Sequence, residues 1–432
     1  MATAAAQPPG LAEAGALARR LFAGLLRATG DAPGVTRVAY GDGETRAFAM
    51  MAEAAAAWNA ETVFDPAGNQ FITLPGDDRS RRIVIGSHLD SVPHGGNFDG
   101  AAGVILGIAL QCALSASGRK PPFDLTVACL RAEESCWFPH SYIGSKTALG
   151  LLAPEVLDQV KSSRDGQSLG SHIAAAGFDP EAVGRHRTWL VPDEIVAFIE
   201  PHIEQAPLLL SQGLPVGVVT GIRGSFRYRE ARCIGEYSHS GAMPHDLRRD
   251  AVLATARLVC AMEDYWVRMA QEGHDLTVTF GQLATDPAQD SFSKVSGETR
   301  FCLDVRSQDE AMLERAEQHL FRAVADIGAA TGTTFELGPR SGSEPARMDD
   351  RLAALLEASA QTRGVATRRM GSGAGHDAAT FAQAGIPTAM LFIRNEHGSH
   401  NPDEHMEFAD FEAALSVLDA ALSRPRESWE TR

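Results

Sequence analysis

The sequence of 432 residues lacks a long apolar run, and it also lacks a clean targeting segment. A helix that spans a membrane needs about 18 to 20 consecutive apolar residues, and no stretch approaches that length. Residues 1–26 are apolar, but Glu13, Arg19 and Arg20 interrupt them and the stretch has no basic start. These absences argue against a membrane partner and a secretory signal, so we expect an amphipathic first helix.

Paired cysteines and an excess of basic charge are also missing. The six cysteines form no CxxC pair, which argues against a cysteine-based zinc site and favours reduced thiols in a cytoplasmic protein. The formal net charge is −16, from 39 lysines and arginines against 55 aspartates and glutamates. Such acidity argues against nucleic acid or an anionic membrane surface as a partner.

What the sequence does have is the length and the pattern of two domains. A chain of 432 residues is too long for one ordinary core. Strand and helix patterns alternate through the first part of the chain and resume near its end, which predicts an α/β domain with a central mixed sheet flanked by helices; the family resemblance described below implies that it is the metal-binding catalytic domain. We assign residues 1–223 and 341–432 to this domain. Its main predicted elements are Arg82–Ile85, Ala101–Leu114, Phe123–Cys129, Ile195–Glu200, Thr388–Ile393 and Phe408–Leu422.

A different pattern occupies residues 224–340. Its elements follow the order strand, helix, strand, strand, helix, strand, which is the order of a ferredoxin-like α+β unit. We therefore predict an inserted second domain here. The predicted elements are Ser225–Ile234, Leu247–Gln271, Leu276–Leu283, Glu298–Val305, Gln308–Thr331 and Thr333–Leu337.

The stretch GSHLDSVPHGGNFDGAAGV, residues 86–104, is the centre of the first domain. It lies between a predicted strand and a predicted helix, and open α/β sheets build their sites at the carboxyl ends of strands. His88 and Asp90 are two residues apart, so at a strand end their side chains point the same way. One could bind a metal while the other orients it. Taken alone, the stretch is also compatible with a polar turn that merely caps a strand, although a site is favoured.

Three further strand ends carry residues of metal-binding type, namely Glu133-Glu134, His202 and His400. Together with His88 and Asp99 they suit a pair of borderline divalent ions, with Asp99 able to bridge them. Such ions lower the pKa of a bound water, and a free glutamate beside them can act as general base. A lone histidine is usually an ordinary core or surface residue, and an isolated Glu-Glu pair is usually solvated. The coincidence at four strand ends favours a metal site instead.

Eight segments in order along nearly the whole chain carry a family resemblance. They are GSHLDSVPHGGNFDGAAGV, Glu133-Glu134, EPHIEQAP (200–207), GVVTGIRG (217–224), GEYSHSGAMPHDLRRDA (235–251), LDVRS (303–307), SGAGHDA (372–378) and GSHNPDE (398–404). These segments resemble the hydantoinase/carbamoylase family. That family comprises N-carbamoyl-L-amino-acid hydrolases, β-ureidopropionases and allantoate amidohydrolases, within the dinuclear-metal aminoacylase and carboxypeptidase superfamily.

The resemblance implies two divalent ions per subunit, which could be zinc, manganese, cobalt or nickel. It implies that the metal ligands are His88, Asp99 (bridging), Glu134, His202 and His400. It further implies that Glu133 is the base and that Asp90 orients the first histidine. Substrate contacts are implied for Gln205, Gly373 and His376, although a loop-stabilising hydrogen bond is an alternative for His376.

The inserted domain is implied to be a lid that also forms a homodimer. His239 matches the residue that reaches the partner subunit's site to steady an oxyanion, and Arg306 matches the arginine that grips the substrate carboxylate. Ser293 stands thirteen residues before Arg306, where the family has an asparagine. Serine lacks the side-chain amide, so it cannot donate and accept hydrogen bonds at two ends as asparagine does. The substrate could therefore be a ureido acid other than the common ones.

The resemblance implies hydrolysis of an N-carbamoyl amino acid or related ureido acid, with release of ammonia, carbon dioxide and the amino acid. An N-acyl-amino-acid hydrolase or a dipeptidase of the same superfamily would use the same metals and base, so both remain alternatives. A catalytically silent metal-binding or interaction module is a third alternative. The retained Glu133 and the complete set of predicted ligands argue against it.

Overall fold

The structure is a computed structural model that describes residues 9–185 and 187–430. The chain divides into two compact units. The first comprises Met1–Thr220, Met348–Met370 and His376–Arg432, and the second comprises Gly221–Arg347 and Gly371–Gly375. Residues 1–8 of the stretch that argued against a secretory signal lie outside the described residues. From Leu11 onward that stretch forms the expected amphipathic helix, which buries Leu21, Phe22 and Leu25.

The first unit contains most of the helices and the larger sheet. Its helices are α1 (Leu11–Thr29), α2 (Asp42–Ala55), α3 (Ala101–Ala116), α4 (Ile143–Ala148), α5 (Val156–Gln159), α6 (Leu169–Ala175), α7 (Pro180–Gly184), α8 (Leu208–Gln212), α11 (Asp350–Arg363), α12 (Asp377–Gln383) and α13 (Phe408–Leu422). The strands that begin in it are β1 (Gly30–Asp31), β2 (Gly34–Val35), β3 (Glu61–Phe64), β4 (Gln70–Leu74), β5 (Asp78–His88), β6 (Phe123–Leu130), β7 (Ile195–Ile203), β8 (Val216–Ile222), β17 (Thr367–Ser372) and β18 (Thr388–Ile393).

The second unit is smaller and has two long helices, α9 (Ala251–Gln271) and α10 (Glu310–Thr331). Its strands are β9 (Gly224–Ile234), β10 (Ser238–His239), β11 (Thr277–Thr285), β12 (Lys294–Val295), β13 (Glu298–Ser307), β14 (Thr334–Glu336), β15 (Arg340–Ser343) and β16 (Ala346–Arg347).

A nine-stranded mixed sheet has the order β16-β8-β18-β7-β5-β6-β4-β3, with β17 paired to β8. The strands β18, β7, β5 and β6 run parallel to one another, whereas β8 and β4 pair antiparallel at the two sides. Strands β6, β7 and β18 are buried at every residue, as expected for parallel strands covered on both faces. The carboxyl ends of the four parallel strands therefore meet along one edge of the sheet.

Helix α3 fixes the position of the loop that precedes it. It is apolar on all sides and packs against β5, β6 and β7 as well as against α1 and α13. An all-round apolar helix is stable only when it is covered on all sides, and α3 is buried along almost its whole length. Its first turn directly follows Asp99 and Gly100, so the packing of α3 anchors that segment.

The second unit is an antiparallel sheet with two helices on one face. The strand order is β11-β13-β9-β14, and β15 also pairs with β9. Helices α9 and α10 bury Leu258, Met262 and Leu320 in a core shared with Phe226 and Leu303 of the sheet. The element order β9-α9-β11-β13-α10-β14, all antiparallel in the sheet, is βαββαβ. A separate two-stranded ladder pairs β10 with β12 and places His239 opposite Lys294.

The predicted fold class, α/β with a central mixed sheet flanked by helices, is confirmed. Helix α9 begins four residues later than Leu247, because Asp250 caps it at the Leu253 N–H and residues 245–247 form a separate short turn. The sequence patterns did not predict α2, β3, β4, β8 or β17. Strand β8 carries Gly217 and Gly221, which weaken the β-branched pattern. Within the described part of the chain, we find no helix with the length and apolarity needed to cross a membrane.

Candidate metal centre

Chemically active side chains of the first unit meet at the carboxyl edge of the parallel strands. His88 is the last residue of β5, and His202 lies one residue before the end of β7. Glu133 and Glu134 follow shortly after the end of β6, and His400 lies in the loop after β18. Parallel strands end at one edge of their sheet, so four segments far apart in sequence deliver their side chains to one place.

Asp99 lies between two groups of candidate ligands. Its Oδ1 is 3.1 Å from His202 Nε2 and 3.6 Å from His88 Nε2, whereas its Oδ2 is 3.4 Å from His400 Nε2. His400 Nε2 is in turn 3.3 Å from Glu134 Oε1. Four groups of potential ligands occur here among the described residues, and two of them, His88–Asp99–His202 and Asp99–Glu134–His400, share one carboxylate.

These spacings fit divalent ions. Nitrogen and oxygen ligands bound at about 2.1 Å to one tetrahedral ion lie about 3.4 Å from one another. The four carboxylate–histidine separations in these groups, 3.1 to 3.6 Å, scatter around that value. The donor set of imidazoles and carboxylates suits borderline ions such as zinc, manganese, cobalt or nickel. The residues present thus fit a pair of ions bridged by Asp99.

Glu133, the first glutamate of the pair, lies outside the two groups that share Asp99. Glu133 Oε2 approaches His88 Nε2 at 3.9 Å, a longer distance than the four carboxylate–histidine separations in the groups that share Asp99. Burial raises the pKa of the Glu133 carboxyl well above its usual range, and the neighbouring Glu134 and Asp377 raise it further. A carboxyl group with a raised pKa beside a metal-type cluster is placed to accept and return a proton.

Asp90 links the ends of β5 and β6. Its Oδ1 accepts a hydrogen bond from the Glu133 N–H and its Oδ2 accepts one from the Glu134 N–H, both at 3.1 Å. His88 Nδ1 lies 3.1 Å from the Asp90 backbone carbonyl, its hydrogen-bond partner, and 3.4 Å from the same Oδ1, which leaves Nε2 as the candidate ligand atom. Asp90 is completely buried. Asp90 therefore orients the first histidine, through its carbonyl and its carboxylate, and the backbone of both glutamates, through its carboxylate.

A second buried network, made of an ion pair and hydrogen bonds, fixes the chain at the end of β6. Arg131 forms an ion pair with Glu44, and both side chains are buried. Asn69 accepts a hydrogen bond from the Arg131 N–H at 2.9 Å and donates to Asp65 and to the Gly144 carbonyl. The following residue, Ala132, has φ of 52°, a left-handed conformation that few non-glycine residues adopt. The network therefore stabilises a strained turn immediately before Glu133.

Close approach of the backbone also shapes the site. Gly100 has φ of 66°, and a Cβ atom there would lie 2.5 Å from the His88 imidazole. A side chain at this position would displace the histidine. His400 has φ of 62° and a half-exposed side chain, whereas His88 and His202 are almost fully buried. One of the two ligand groups is therefore open to solvent at His400.

The structure brings Gln205 and His376 to the same cluster. Gln205 Nε2 donates to Asp99 Oδ2 at 3.2 Å. The His376 ring lies edge-on to the His202 ring, with centroids 4.5 Å apart. Burial, with the nearby His202, lowers the pKa of His376 well below its usual range. His376 is therefore a neutral imidazole that lines the cluster.

The remaining predicted site residues belong to the second unit and form two pairs there. The Ser240 N–H donates to the Ser293 carbonyl at 2.9 Å, which joins the His239 and Ser293 segments. The exposed His239 accepts hydrogen bonds at Nδ1 from the N–H groups of Gly241 and Ala242, both at 3.2 Å. A neutral imidazole that accepts at Nδ1 carries its proton on Nε2, so this ring presents a donor.

Arg306 and Gly373 form the second pair. Arg306 Nη1 donates to the Gly373 carbonyl at 2.8 Å, and its Nη2 donates to Asp304 Oδ2 at 2.8 Å. The guanidinium is therefore held in a defined orientation by a carboxylate of its own strand and by the loop that carries Gly373. About a third of its side chain remains exposed.

Sequence reasoning assigned no role to several residues that support the cluster. Glu404 Oε1 accepts hydrogen bonds from the N–H groups of Phe98 and Asp99, at 2.8 and 3.1 Å. Glu200 accepts from the Ser87 hydroxyl at 2.8 Å and from the Ala378 N–H at 2.7 Å. A usable signal existed for both. Glu200 precedes His202 by two residues on one strand, and Glu404 ends the GSHNPDE segment.

Comparisons with known proteins show which proteins the chain is similar to. The model of peptidase family M20/M25/M40 matches residues 84–424. The chain is 32% identical over 402 residues to an allantoate amidohydrolase of Escherichia coli strain K12, covering 92% of this chain and 94% of that protein. It is 30% identical to an N-carbamoyl-L-amino-acid amidohydrolase of Paenarthrobacter aurescens, covering 91% and 94%. The solved structure of a hydantoinase/carbamoylase family amidase from Burkholderia multivorans superimposes with a TM-score of 0.85 at 28% identity, covering 95% and 98%.

The charge of the cluster predicts a pH dependence of stability for the chain freed of divalent ions by a chelator. Hydrogen bonding and proximity to Glu134 raise the pKa of His400 from 6.5 to about 9, and burial raises the pKa of Glu404 from 4.5 to about 8. The folded chain then holds more protons than the unfolded chain, so stability falls as pH rises from 6.5 to about 9. The lowered pKa of His376 affects the pH dependence of stability only below pH 6.5, outside this range.

Thermal unfolding followed by circular dichroism across this pH range is the measurement. His400→Ala, measured in parallel, should reduce the slope, because the variant removes one of the groups that titrate in the window. A melting temperature that rises with pH across the same range would contradict the assignment of these groups.

Proposed function

Because the chain belongs to peptidase family M20/M25/M40, we propose that its cluster at the sheet edge is the metal centre of an amidohydrolase. The substrate we propose is an N-carbamoyl amino acid or a related ureido acid, cleaved at the carbamoyl C–N bond. The observation that carries the proposal is the position of Asp99, whose two carboxylate oxygens face separate ligand groups while Glu133 lies beside them.

The substrate class is supported by the relatives. The two relatives from Escherichia coli and Paenarthrobacter aurescens act, by their names, on allantoate and on N-carbamoyl-L-amino acids, and both substrates carry a ureido group. The similarity extends over more than nine tenths of each chain, so it includes both units. A ureido acid therefore fits better than a peptide or an N-acyl amino acid.

Two divalent ions per chain, zinc, manganese, cobalt or nickel, would be held by His88, Asp99, Glu134, His202 and His400. They would lower the pKa of a water molecule toward neutrality and polarise the scissile carbonyl. Asp90 holds the His88 ring and the Glu133 and Glu134 backbone in place for this task.

Glu133 is the proton carrier in this proposal. It takes a proton from the attacking water and delivers it to the leaving nitrogen as the C–N bond breaks. Its burial favours the protonated state between these two transfers. When ammonia leaves, the remaining carbamate loses carbon dioxide and frees the amino acid.

Arg306 recognises the substrate carboxylate. A planar guanidinium pairs with a carboxylate through two parallel hydrogen bonds, and Asp304 with the Gly373 carbonyl holds this guanidinium in orientation. Gln205, His376 and the Gly373 loop are further substrate contacts. Ser293 has no amide with which to hold both ends of a substrate group, so this position tunes the choice among ureido acids.

His239 is the oxyanion donor and acts in the site of a partner subunit. Its Nδ1 is occupied by the N–H groups of Gly241 and Ala242, which leaves the Nε2–H to donate. Strand β11 is at the end of its sheet, and it carries the exposed Leu283. An unpaired strand edge of this kind can join a second copy, which supports a homodimer through the second unit. The six cysteines are free thiols, which supports a cytoplasmic location.

A panel of substrates tests the proposed function. After reconstitution with Zn²⁺ or Mn²⁺, the protein should release ammonia from an N-carbamoyl-L-amino acid, N-carbamoyl-β-alanine or allantoate, at a kcat/KM at least about tenfold higher than for N-acetyl amino acids or dipeptides. A tenfold ratio corresponds to about 1.4 kcal/mol of transition-state discrimination. Faster cleavage of the acetyl compounds or dipeptides would instead identify an acylase or a dipeptidase.

The adjacent glutamates provide a matched pair of variants. Glu133→Gln should lower kcat by about 10²- to 10⁴-fold, because it removes the proton carrier, while both ions stay bound. Glu134→Gln should lower the affinity for metal, because it removes a ligand oxygen. Metal content by atomic emission spectrometry and ammonia release separate these effects. Substantial turnover by Glu133→Gln would rule out the proposed base.

Mixing two inactive variants tests the shared site. Glu133→Gln and His239→Ala, coexpressed, should form mixed dimers in which one site has an intact base and an intact histidine from the other chain. With random pairing, about a quarter of wild-type activity should return. No recovery in coexpressed dimers, or a monomer by light scattering, would show that His239 does not act across subunits.

A further inference from the structure

Arg37 is a fully buried arginine whose hydrogen bonds hold the backbone on both sides of Asp90. Arg37 Nε donates to the Leu89 carbonyl at 2.6 Å, and the Arg37 N–H donates to the Ser91 hydroxyl at 2.9 Å. The Ser91 N–H donates back to the Arg37 carbonyl at 2.9 Å. The segment Leu89–Ser91 is therefore fixed to Arg37 from both ends.

Fixing this segment also fixes the residues that depend on Asp90. The Asp90 carboxylate receives the N–H groups of Glu133 and Glu134 and lies beside His88 Nδ1. A shift of the Asp90 backbone would thus move a candidate ligand histidine and both glutamates together. Arg37 therefore acts on these groups through the backbone of residues 89–91, and it is not itself a candidate metal ligand.

Glu404 has the corresponding position on the other side of the cluster. Its Oε1 receives the N–H groups of Phe98 and Asp99, which orients the peptide that carries the shared carboxylate. Glu404 follows His400 by four residues and its N–H reaches the Asn401 carbonyl at 3.4 Å. A Cβ at Gly96 would lie 2.1 Å from the Glu404 carboxyl group, so the glycine leaves the space that Glu404 fills.

The two side chains share a buried environment. Burial lowers the pKa of Arg37, and the surrounding carboxyl groups, Glu404 first among them, oppose that shift. Arg37 Nη2 and Glu404 Oε2 are both buried, and neither has a hydrogen-bond partner within the described residues. Burial raises the pKa of Glu404 to about 8, so this carboxyl group is fully charged only above that pH or when nearby cations lower its pKa; the two residues are therefore joined mainly through the peptides that they hold.

A permanent cation beside a site for divalent ions needs a geometric reason. By charge alone, Arg37 repels the ions that Asp99 and Glu134 would bind, and its removal would strengthen metal binding. We propose that Arg37 and Glu404 act as one positioning pair, which holds the Asp90 and Asp99 peptides in the geometry that binds metal. This inference rests on the proposed metal centre, and it adds two residues that the ligand set does not include.

The test measures metal affinity rather than turnover. Zn²⁺ is titrated against a chromophoric chelator into wild type, Arg37→Lys, Arg37→Gln, Glu404→Gln and the double variant Arg37→Gln/Glu404→Gln. Both Arg37 variants should bind Zn²⁺ about 10- to 100-fold more weakly, as expected when a group that orients ligands is lost. The double variant should be no weaker than the weaker single variant, because the two residues act as one unit.

Arg363→Gln and Arg363→Lys are the matched controls. Arg363 is mostly buried and pairs with the buried Asp419 at 2.7 Å, between α11 and α13. These controls should keep the wild-type Zn²⁺ affinity even where they lower the melting temperature. Circular dichroism gives the folded fraction of every variant, so loss of fold is separated from loss of affinity.

Unchanged or tighter Zn²⁺ binding by folded Arg37→Gln would overturn the inference, because charge would then outweigh position. If Arg37→Gln does not fold, Arg37→Lys against Arg363→Lys decides: weaker binding by Arg37→Lys supports the pair, and equal binding overturns it. Wild type that fails to bind two Zn²⁺ ions refutes the proposed metal centre itself. The two failures are therefore distinguishable.

Discussion

The burial of carboxylates at one edge of a parallel sheet is the constraint on which this molecule depends. Asp90, Asp99, Glu134, Glu200 and Asp377 are all nearly inaccessible to solvent. Buried ionised carboxylates are stable only when they are paired, hydrogen-bonded or bound to cations. The fold meets this requirement in part with backbone N–H groups, histidines and a buried arginine. The ligand groups around Asp99 fit cations, which would compensate the carboxylate charge that these groups leave.

Precision at the site comes from the backbone more than from the side chains themselves. The parallel strands deliver His88 and His202, and the packing of α3 fixes the peptide of Asp99. Carboxylates then bind the N–H groups of neighbouring loops, as Asp90 does for Glu133. Rigid strands set the approximate positions, and buried hydrogen bonds set the final ones.

The sequence predicted the elements that are strongly apolar, such as β6, α3 and α13, because buried strands and fully packed helices leave nearly continuous apolar runs in the sequence. It also predicted which residues would gather at the strand ends. It did not reveal Arg37 as part of the site, because a lone arginine near the N-terminus resembles any surface arginine until the fold buries it. Strand β8 was hidden by its glycines, and the start of α9 depended on capping by Asp250.

The unequal exposure of the histidines has a consequence for the order of loading. His88 and His202 have side chains only 2% and 1% exposed, whereas that of His400 is 49% exposed. Water and small chelators therefore reach the His400 ligand directly, whereas the His88 and His202 ligands are shielded from them. An ion held by His400 would exchange and leave first, so in a protein that holds only one ion, that ion would be the one bound by His88 and His202.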